Sequence, residues 1–206
     1  MQTNFYGRDF YVDKNVLTPR PETEAIIDEV LKLCGKPILP GVKPEEPILD
    51  PKNLQILDVG TGSGCIAITL KLELPTTTVY ASDVSREAIK ITQKNARNLG
   101  ASIHTIISYL LQKVNINPDI IVANLPYVDR SWDWLDQESL KQDPDIALYA
   151  EDDGLKLIKE LIKTATSRYL ILEADPSQHQ KIIEYAKKKY ILLNKNNFIL
   201  NFKIKK

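Results

Sequence analysis

Apolar residues change their period several times along the chain, and each change marks an element. Between residues 5 and 17, Phe5, Tyr6, Phe10, Tyr11, Val12, Val16 and Leu17 alternate with polar residues, which predicts a short hairpin or an extended lead-in. The stretch PRPETEAIIDEVLKL then puts Ile26, Ile27, Val30 and Leu31 on one stripe, with Pro21 suited to a first helical turn and Glu22 and Glu24 to its positive end. It predicts a helix. Residues 35–53, dense in proline and charge, predict a surface loop. From Leu54 the run LQILDVG reads as a strand, a glycine-rich turn follows, and CIAITLKLE reads as a helix. Further strands are predicted at TTVYASD, SIHTIIS, PDIIVANLPY and RYLILEA. Helices are predicted at SREAIKITQKNARNLG, closed by Gly100, at DGLKLIKELIKTAT and at PSQHQKIIEYAKKK. The end, YILLNKN and NFILNFKIKK, predicts two strands. Such alternation implies an α/β fold with a mostly parallel, doubly wound sheet and a C-terminal antiparallel hairpin.

Length and charge narrow the picture. With 206 residues, one catalytic-sized domain over 1–206 is expected, residues 1–18 forming its lead-in. Lysine plus arginine (27) balances aspartate plus glutamate (27), so no global positive field favours nucleic acid, and no direct nucleic-acid substrate is expected. The two cysteines, Cys34 and Cys65, sit in apolar helical patterns without metal-ligand spacing, so no metal site is expected. The first residues lack the basic and apolar regions of a signal peptide, and no apolar run matches a bilayer. A cytoplasmic monomer, without a membrane partner, is the expectation.

Chemistry first shows at the tip of the first core strand, Asp58-Val59-Gly60-Thr61-Gly62-Ser63-Gly64, where open α/β sheets bind ligands. Glycines at 60, 62 and 64 allow a tight turn and close backbone approach to a ligand. Asp83 ends the second strand, where ribose hydroxyls need an acceptor. The spacing is G-x-G-x-G, not the G-x-G-x-x-G of pyrophosphate binding, and Asp58 immediately upstream would repel phosphate. Two acids suit a cationic ligand, and S-adenosylmethionine, with a sulfonium, an α-ammonium and no phosphate, matches those charges.

The fourth strand runs into Asn124-Leu125-Pro126-Tyr127 at the same edge. A carboxamide nitrogen is a poor nucleophile because its lone pair is delocalised, so a catalyst must chiefly orient it. The Asn124 side-chain oxygen and the Leu125 carbonyl can each accept from an NH2 group, Pro126 stiffens the turn, and Tyr127 can stack on a flat acceptor.

These blocks resemble the HemK/PrmC family of release factor glutamine methyltransferases over nearly the whole chain. The matching segments are VLTPRPETE at 16–24, ILDVGTGSGCIA at 56–67, ASDVS at 81–85, VANLPYV at 122–128 and DPDIALYAEDDGL at 143–155, PRPETE being the most family-specific. The resemblance implies a Rossmann-like, seven-stranded class I S-adenosylmethionine-dependent methyltransferase fold and a peptide chain release factor as protein substrate, methylated on the glutamine of a Gly-Gly-Gln motif. It implies a cofactor set of Asp58, Gly60, Thr61, Gly62, Gly64, Asp83, Val84 and Asn124. Asn124, Leu125, Pro126 and Tyr127 would be catalytic, with Arg20, Pro21 and Glu22 bordering the substrate pocket.

The chain departs from the family pattern in three places. Leu125 stands where proline is usual. Ser108-Tyr109-Leu110-Leu111 replaces the acid that usually follows the third strand, which leaves adenine to pack on Tyr109 or Leu110. The usual helical N-terminal domain has no counterpart before VLTPRPETE. Two rival functions follow, adenine amino-group methylation in RNA or DNA and a non-catalytic cofactor-binding adaptor. Arg20 and Glu22 would equally cap a helix and pair at the surface. His104 and His179 are expected to be structural or solvent-facing, Trp132 and Trp134 to bury apolar area, and the lysine runs at 187–189 and 203–206 to be solvated.

Overall fold

A computed structural model describes residues 1–38, 46–132 and 143–205. An antiparallel hairpin, β1 (Gln2–Phe5) and β2 (Arg8–Tyr11), turns at Tyr6-Gly7 and packs Phe5 edge-on against Phe10. One 3-10 turn, Pro21–Thr23, leads into α1 (Glu24–Leu33), with Pro21 in the first turn as its fixed φ requires. The core then alternates β3 (Gln55–Val59), α2 (Cys65–Glu73), β4 (Thr78–Asp83), α3 (Arg86–Leu99), β5 (His104–Ile107) and β6 (Ile120–Ala123). After a short helical turn at Asp145–Leu148 come α4 (Lys156–Thr164), β7 (Tyr169–Glu173), α5 (His179–Ala186), β8 (Tyr190–Asn196) and β9 (Ile199–Ile204).

The sheet order is β5-β4-β3-β6-β7-β9-β8, parallel throughout except that β9 runs antiparallel to both neighbours. That is the α/β, seven-stranded arrangement anticipated above. Residues of β6 and β7 alternate between two cores: Ile120, Val122, Tyr169 and Ile171 pack with α1 and α2, while Ile121, Ala123, Leu170 and Leu172 pack with α4 and α5. Both faces of the central strands are therefore covered, which is why IIVA and YLIL are unbroken apolar runs. Ser85 caps α3 by accepting from the Ala88 amide, and Gly100 ends it in the left-handed region at φ 69°.

Boundaries moved where local chemistry overrode pattern. The PDIIVANLPY strand stops at Ala123, because Asn124 onward leaves the ladder for the site. The helix expected from Asp153 starts at Lys156, since Gly154 is left-handed at φ 78°. Lys189, expected to be solvated, donates to the Ile162 and Lys163 carbonyls at 3.2 and 2.9 Å and so caps the end of α4. His179 is buried against the Ala174 carbonyl, and His104 stacks on Tyr80 at the exposed edge. Trp132 is half-buried, and Trp134 lies outside the described residues. Among the described residues, no helix is long and apolar enough to cross a membrane.

One buried charge fastens α1 to the C-terminal hairpin. The Glu29 carboxylate, 3% exposed, accepts from Lys32 Nζ at 2.8 Å, Asn194 Nδ2 at 2.9 Å and Asn201 Nδ2 at 3.0 Å. Removing it strands the buried Asn201 amide and the half-buried Lys32, and deprives exposed Asn194 of its partner. Glu29→Ala is expected to lower unfolding free energy by about 2–4 kcal/mol in denaturant titration; a loss under about 0.5 kcal/mol, the scale of an ordinary surface change, would show the cluster to be solvated.

Candidate active site

The site lies at the carboxyl ends of β3, β4 and β6, at the switch point where the chain leaves β3 for β4 on one side and later returns as β6 on the other. A cavity of about 330 Å³ opens there, within the range that holds small-molecule ligands.

The glycine loop forms its floor. Gly60, Gly62 and Gly64 have φ of 76°, 54° and 83°, a region costly for side chains. A Cβ on Gly60 would crowd Leu125, and one on Gly64 would crowd Ile68 and Thr92, whereas one on Gly62 would meet nothing. Two of the glycines therefore serve packing, and Gly62 is the open one. The loop is sewn to β4 by Gly60 and Thr61 amides donating to the Ser82 carbonyl at 2.8 and 2.9 Å, and by the Gly62 amide donating to Asp83 Oδ2 at 3.0 Å. Asp83 Oδ1 accepts from the Ser85 amide at 2.8 Å, which leaves further lone pairs of this cavity-lining carboxylate for a ligand hydroxyl. Burial raises its pKa against the lowering effect of those amides.

Asp58 requires a correction. It was expected to face a cationic ligand, but it is fully buried beneath the loop and does not line the cavity. Its Oδ2 accepts from Thr61 Oγ1 at 2.6 Å and from the Ala67 amide at 3.3 Å, so it braces the turn from below. The cause is register: Asp58 is one residue inside the strand tip, and Val59 separates it from the loop.

A hydrophobic side wall comes from Val84, Tyr109, Leu110 and Leu157, all lining the cavity, and Tyr109 is anchored through its hydroxyl to Glu160 at 2.8 Å. Val84 is half-exposed, an apolar surface that a planar ring would cover. Cys65 also lines the cavity, but burial pushes its thiol up to about 12, so it is inert at neutral pH.

The opposite wall is assembled from three distant blocks. Asn124 Nδ2 donates to Thr23 Oγ1 at 3.1 Å, joining the tetrad to PRPETE. Buried Asp143 accepts from the Thr18 amide at 2.9 Å and from Arg20 Nη2 at 2.6 Å, joining PRPETE to DPDIALYAEDDGL. Val128 exchanges backbone bonds with Leu148 and Ala150 at 3.0 Å, and a Cβ on Gly154 would overlap the Tyr127 carbonyl. Arg20, Asn124, Leu125, Pro126 and Tyr149 line the cavity. Pro21, Glu22 and Tyr127 are not among the lining residues: Pro21 is exposed on the 3-10 turn, Glu22 is half-buried beside it, and the Tyr127 hydroxyl donates inward to Glu173 Oε1 at 3.2 Å.

Two residues that sequence reasoning passed over complete this wall. Thr23 is 2% exposed and lies inside PRPETE, where the acids drew attention instead. Glu173 is 1% exposed at the end of the apolar strand YLILE, and burial pushes its carboxyl up to about 7. An acid closing an otherwise apolar buried strand was the signal available for it.

Matches to other proteins agree with this geometry. The model of the methyltransferase small domain matches residues 46–137. Over 202 residues the chain is 38% identical to the release factor glutamine methyltransferase of Flavobacterium psychrophilum, covering 96% of this chain and 66% of that protein. To the release factor glutamine methyltransferase of Koribacter versatilis it is 40% identical over 160 residues, 76% of this chain and 52% of that one. The chain belongs to the HemK/PrmC family of release factor glutamine methyltransferases. It spans less than two thirds of the length of these relatives. Solved structures show the class I methyltransferase fold at lower identity: a ribosomal protein L11 methylase from Lactobacillus delbrueckii subsp. bulgaricus (21% identical, TM-score 0.59, covering 91% of this chain and 80% of that one), and magnesium protoporphyrin IX methyltransferase from Synechocystis PCC 6803 with bound SAM (17%, 0.56, 88% and 79%). Within the HemK/PrmC family the PRPETE block thus reads here as a structural wall, tied at Thr23 and Arg20.

Buried Asp58 makes stability depend on pH. Burial, partly opposed by Thr61 and the Ala67 amide, pushes its carboxyl up to about 7. The folded state keeps a proton that the unfolded chain releases, so this group's contribution is full below the ordinary carboxylate range and lost as pH rises through about 7. Asp58→Asn cannot ionise. Its stability relative to the unsubstituted chain is expected to improve by on the order of 1 kcal/mol per pH unit between roughly pH 4 and 7, read from denaturant midpoints. A difference that stays flat across that range would mean Asp58 is ionised throughout.

Proposed function

We propose that this chain transfers a methyl group from S-adenosylmethionine to the side-chain amide nitrogen of a glutamine in a peptide chain release factor. The observation that carries the reading is that Asn124, its amide anchored at Thr23, lines the same cavity as the open Gly62 backbone and Asp83. The residues present suit the cofactor: Asp83 as ribose acceptor, Gly62 without a side chain where the backbone must come close, and Val84, Tyr109 and Leu110 against a planar base. When bound, the cofactor supplies an electrophilic methyl on a cationic sulfur.

The chain's own part is orientation. Asn124 Oδ1 and the Leu125 carbonyl accept the two hydrogens of the target NH2, which fixes the amide plane and directs the nitrogen lone pair along one line. Pro126 limits the turn, and Gln178 Nε2 holds the Tyr127 carbonyl at 2.8 Å and the Asp153 carbonyl at 2.7 Å, so the acceptors are held from behind. Leucine at 125 keeps the backbone acceptor and spends its side chain on Gly60, tying tetrad to glycine loop. A neutral overall charge accords with a protein substrate better than with a nucleic-acid one.

Incubation with methyl-labelled cofactor and a release factor bearing a Gly-Gly-Gln loop is expected to label the factor; label that persists after Gln→Ala in that loop would refute the assignment. Asn124→Ala is expected to reduce kcat roughly 100-fold while changing the cofactor dissociation constant, measured by calorimetry, by less than about threefold. Comparable losses in both would place Asn124 on the cofactor instead of on the target amide.

A further inference from the structure

The Asn124 carboxamide has two ends that differ in chemistry and hardly at all in shape, so its use as an acceptor depends on what the other end is tied to. Nδ2 donates to the Thr23 hydroxyl. Beyond Thr23 stands the Glu173 carboxyl. Burial and the Glu22 charge raise its pKa, while the polar side chains of Thr23, Tyr127 and Asn124 close beside it favour the ionised form. Tyr127 Oη donates to Oε1, while Oε2 is buried with no further hydrogen bond among the described residues. Burying a carboxyl at the end of an apolar strand is costly, and neither packing nor an ion pair with the described residues offsets it here.

An ionised carboxylate only accepts. Beside one, the Thr23 proton turns toward Glu173, and the Thr23 oxygen is left to accept from Asn124 Nδ2. A neutral group at 173 brings a donor, the Thr23 proton is freed to turn toward Asn124, and the amide is drawn round with Oδ1 inward. We propose that Glu173 is a positioning residue: through Thr23, its carboxylate sets the polarity of the Asn124 amide so that Oδ1 faces the cleft. The proposal rests on the reading of Asn124 as acceptor for a target NH2.

The titratable groups that interact with Glu173 are Glu22 from the turn before α1, Tyr127 after β6 and Cys65 from α2, while its β9 partner Ile199 carries no charge. Tyr127 and Cys65 are both raised by burial and stay protonated at neutral pH. With Glu173 pushed up to about 7, the polarity switches near neutrality, so the amide should report it. Asp58 titrates in the same range, which makes comparison of variants essential.

The test is made first without any substrate. In 15N-labelled protein, the Asn124 side-chain NH2 signals, assigned by their loss in Asn124→Ala, are expected to move with pH with a midpoint near neutrality. That movement should vanish in Glu173→Gln and Thr23→Val and survive in Thr23→Ser. Turnover on a release factor should then fall about tenfold or more in kcat for Glu173→Gln and Thr23→Val, with the KM for cofactor within about twofold and recovery in Thr23→Ser. An Asn124 amide that titrates unchanged in Glu173→Gln, or unaltered kcat in that variant, overturns the proposal. An amide that responds through Glu173 in a protein that labels no release factor leaves the positioning role standing and sinks the substrate assignment instead.

Discussion

Parallel register is the constraint on which the site depends. Ser82, Val59 and Ala123 stand abreast on β4, β3 and β6, and Leu172 stands abreast of Ala123 on β7. The residues that follow, Asp83, Gly60, Asn124 and Glu173, therefore emerge together along one edge. A slip of one residue in any strand would exchange its two side-chain faces, sending Leu57 and Ile121 into the core that Ile56 and Ile120 occupy. Two differently packed cores thus hold the register, and the register holds the chemistry.

Two buried carboxyls show how differently that edge uses charge. Asp58 lies one residue inside its strand, takes the Thr61 hydroxyl from the loop and the Ala67 amide from the first turn of α2, and acts on loop shape. Glu173 ends its strand, takes the Tyr127 hydroxyl, and stands behind Thr23 and Asn124. Burial pushes both up to about 7, so each is destabilising when ionised. For Asp58 the offset is the closed glycine turn; for Glu173 it is the Tyr127 hydroxyl and the polar side chains of Thr23 and Asn124.

Much of the fold was legible because its signals were local. Helix α2 runs over Cys65–Glu73 as its pattern predicted, Gly100 ends α3, and the order of strands and helices follows the alternation of periods. The glycine loop and Asp83 also read directly, since positive φ and a strand-end acid are properties of single residues. What failed to read was contact across the fold. Asp58 looked outward because its neighbour in sequence is the loop, yet its side-chain direction is set by the pleat. Tyr127 looked like a stacking surface, but its hydroxyl is drawn inward by Glu173, 46 residues away. Thr23 carried no signal of its own; it acquires one only when Asn124, 101 residues later, is brought against it.

The two walls of the cavity differ in how they are made, and the difference follows from what each must do. The floor comes from one continuous stretch, β3 through α2, with help from the neighbouring strand tip. The opposite wall joins residues 18–23, 124–128, 143–154 and 178 by hydrogen bonds and close packing between elements far apart in sequence. Binding a ligand by backbone approach tolerates small shifts, because many weak contacts share the load. Aiming one amide lone pair does not tolerate them, since misplacement by about 1 Å can cost roughly 100-fold in rate. Under the proposed function, the wall that would orient the amide is the one tied at several independent points.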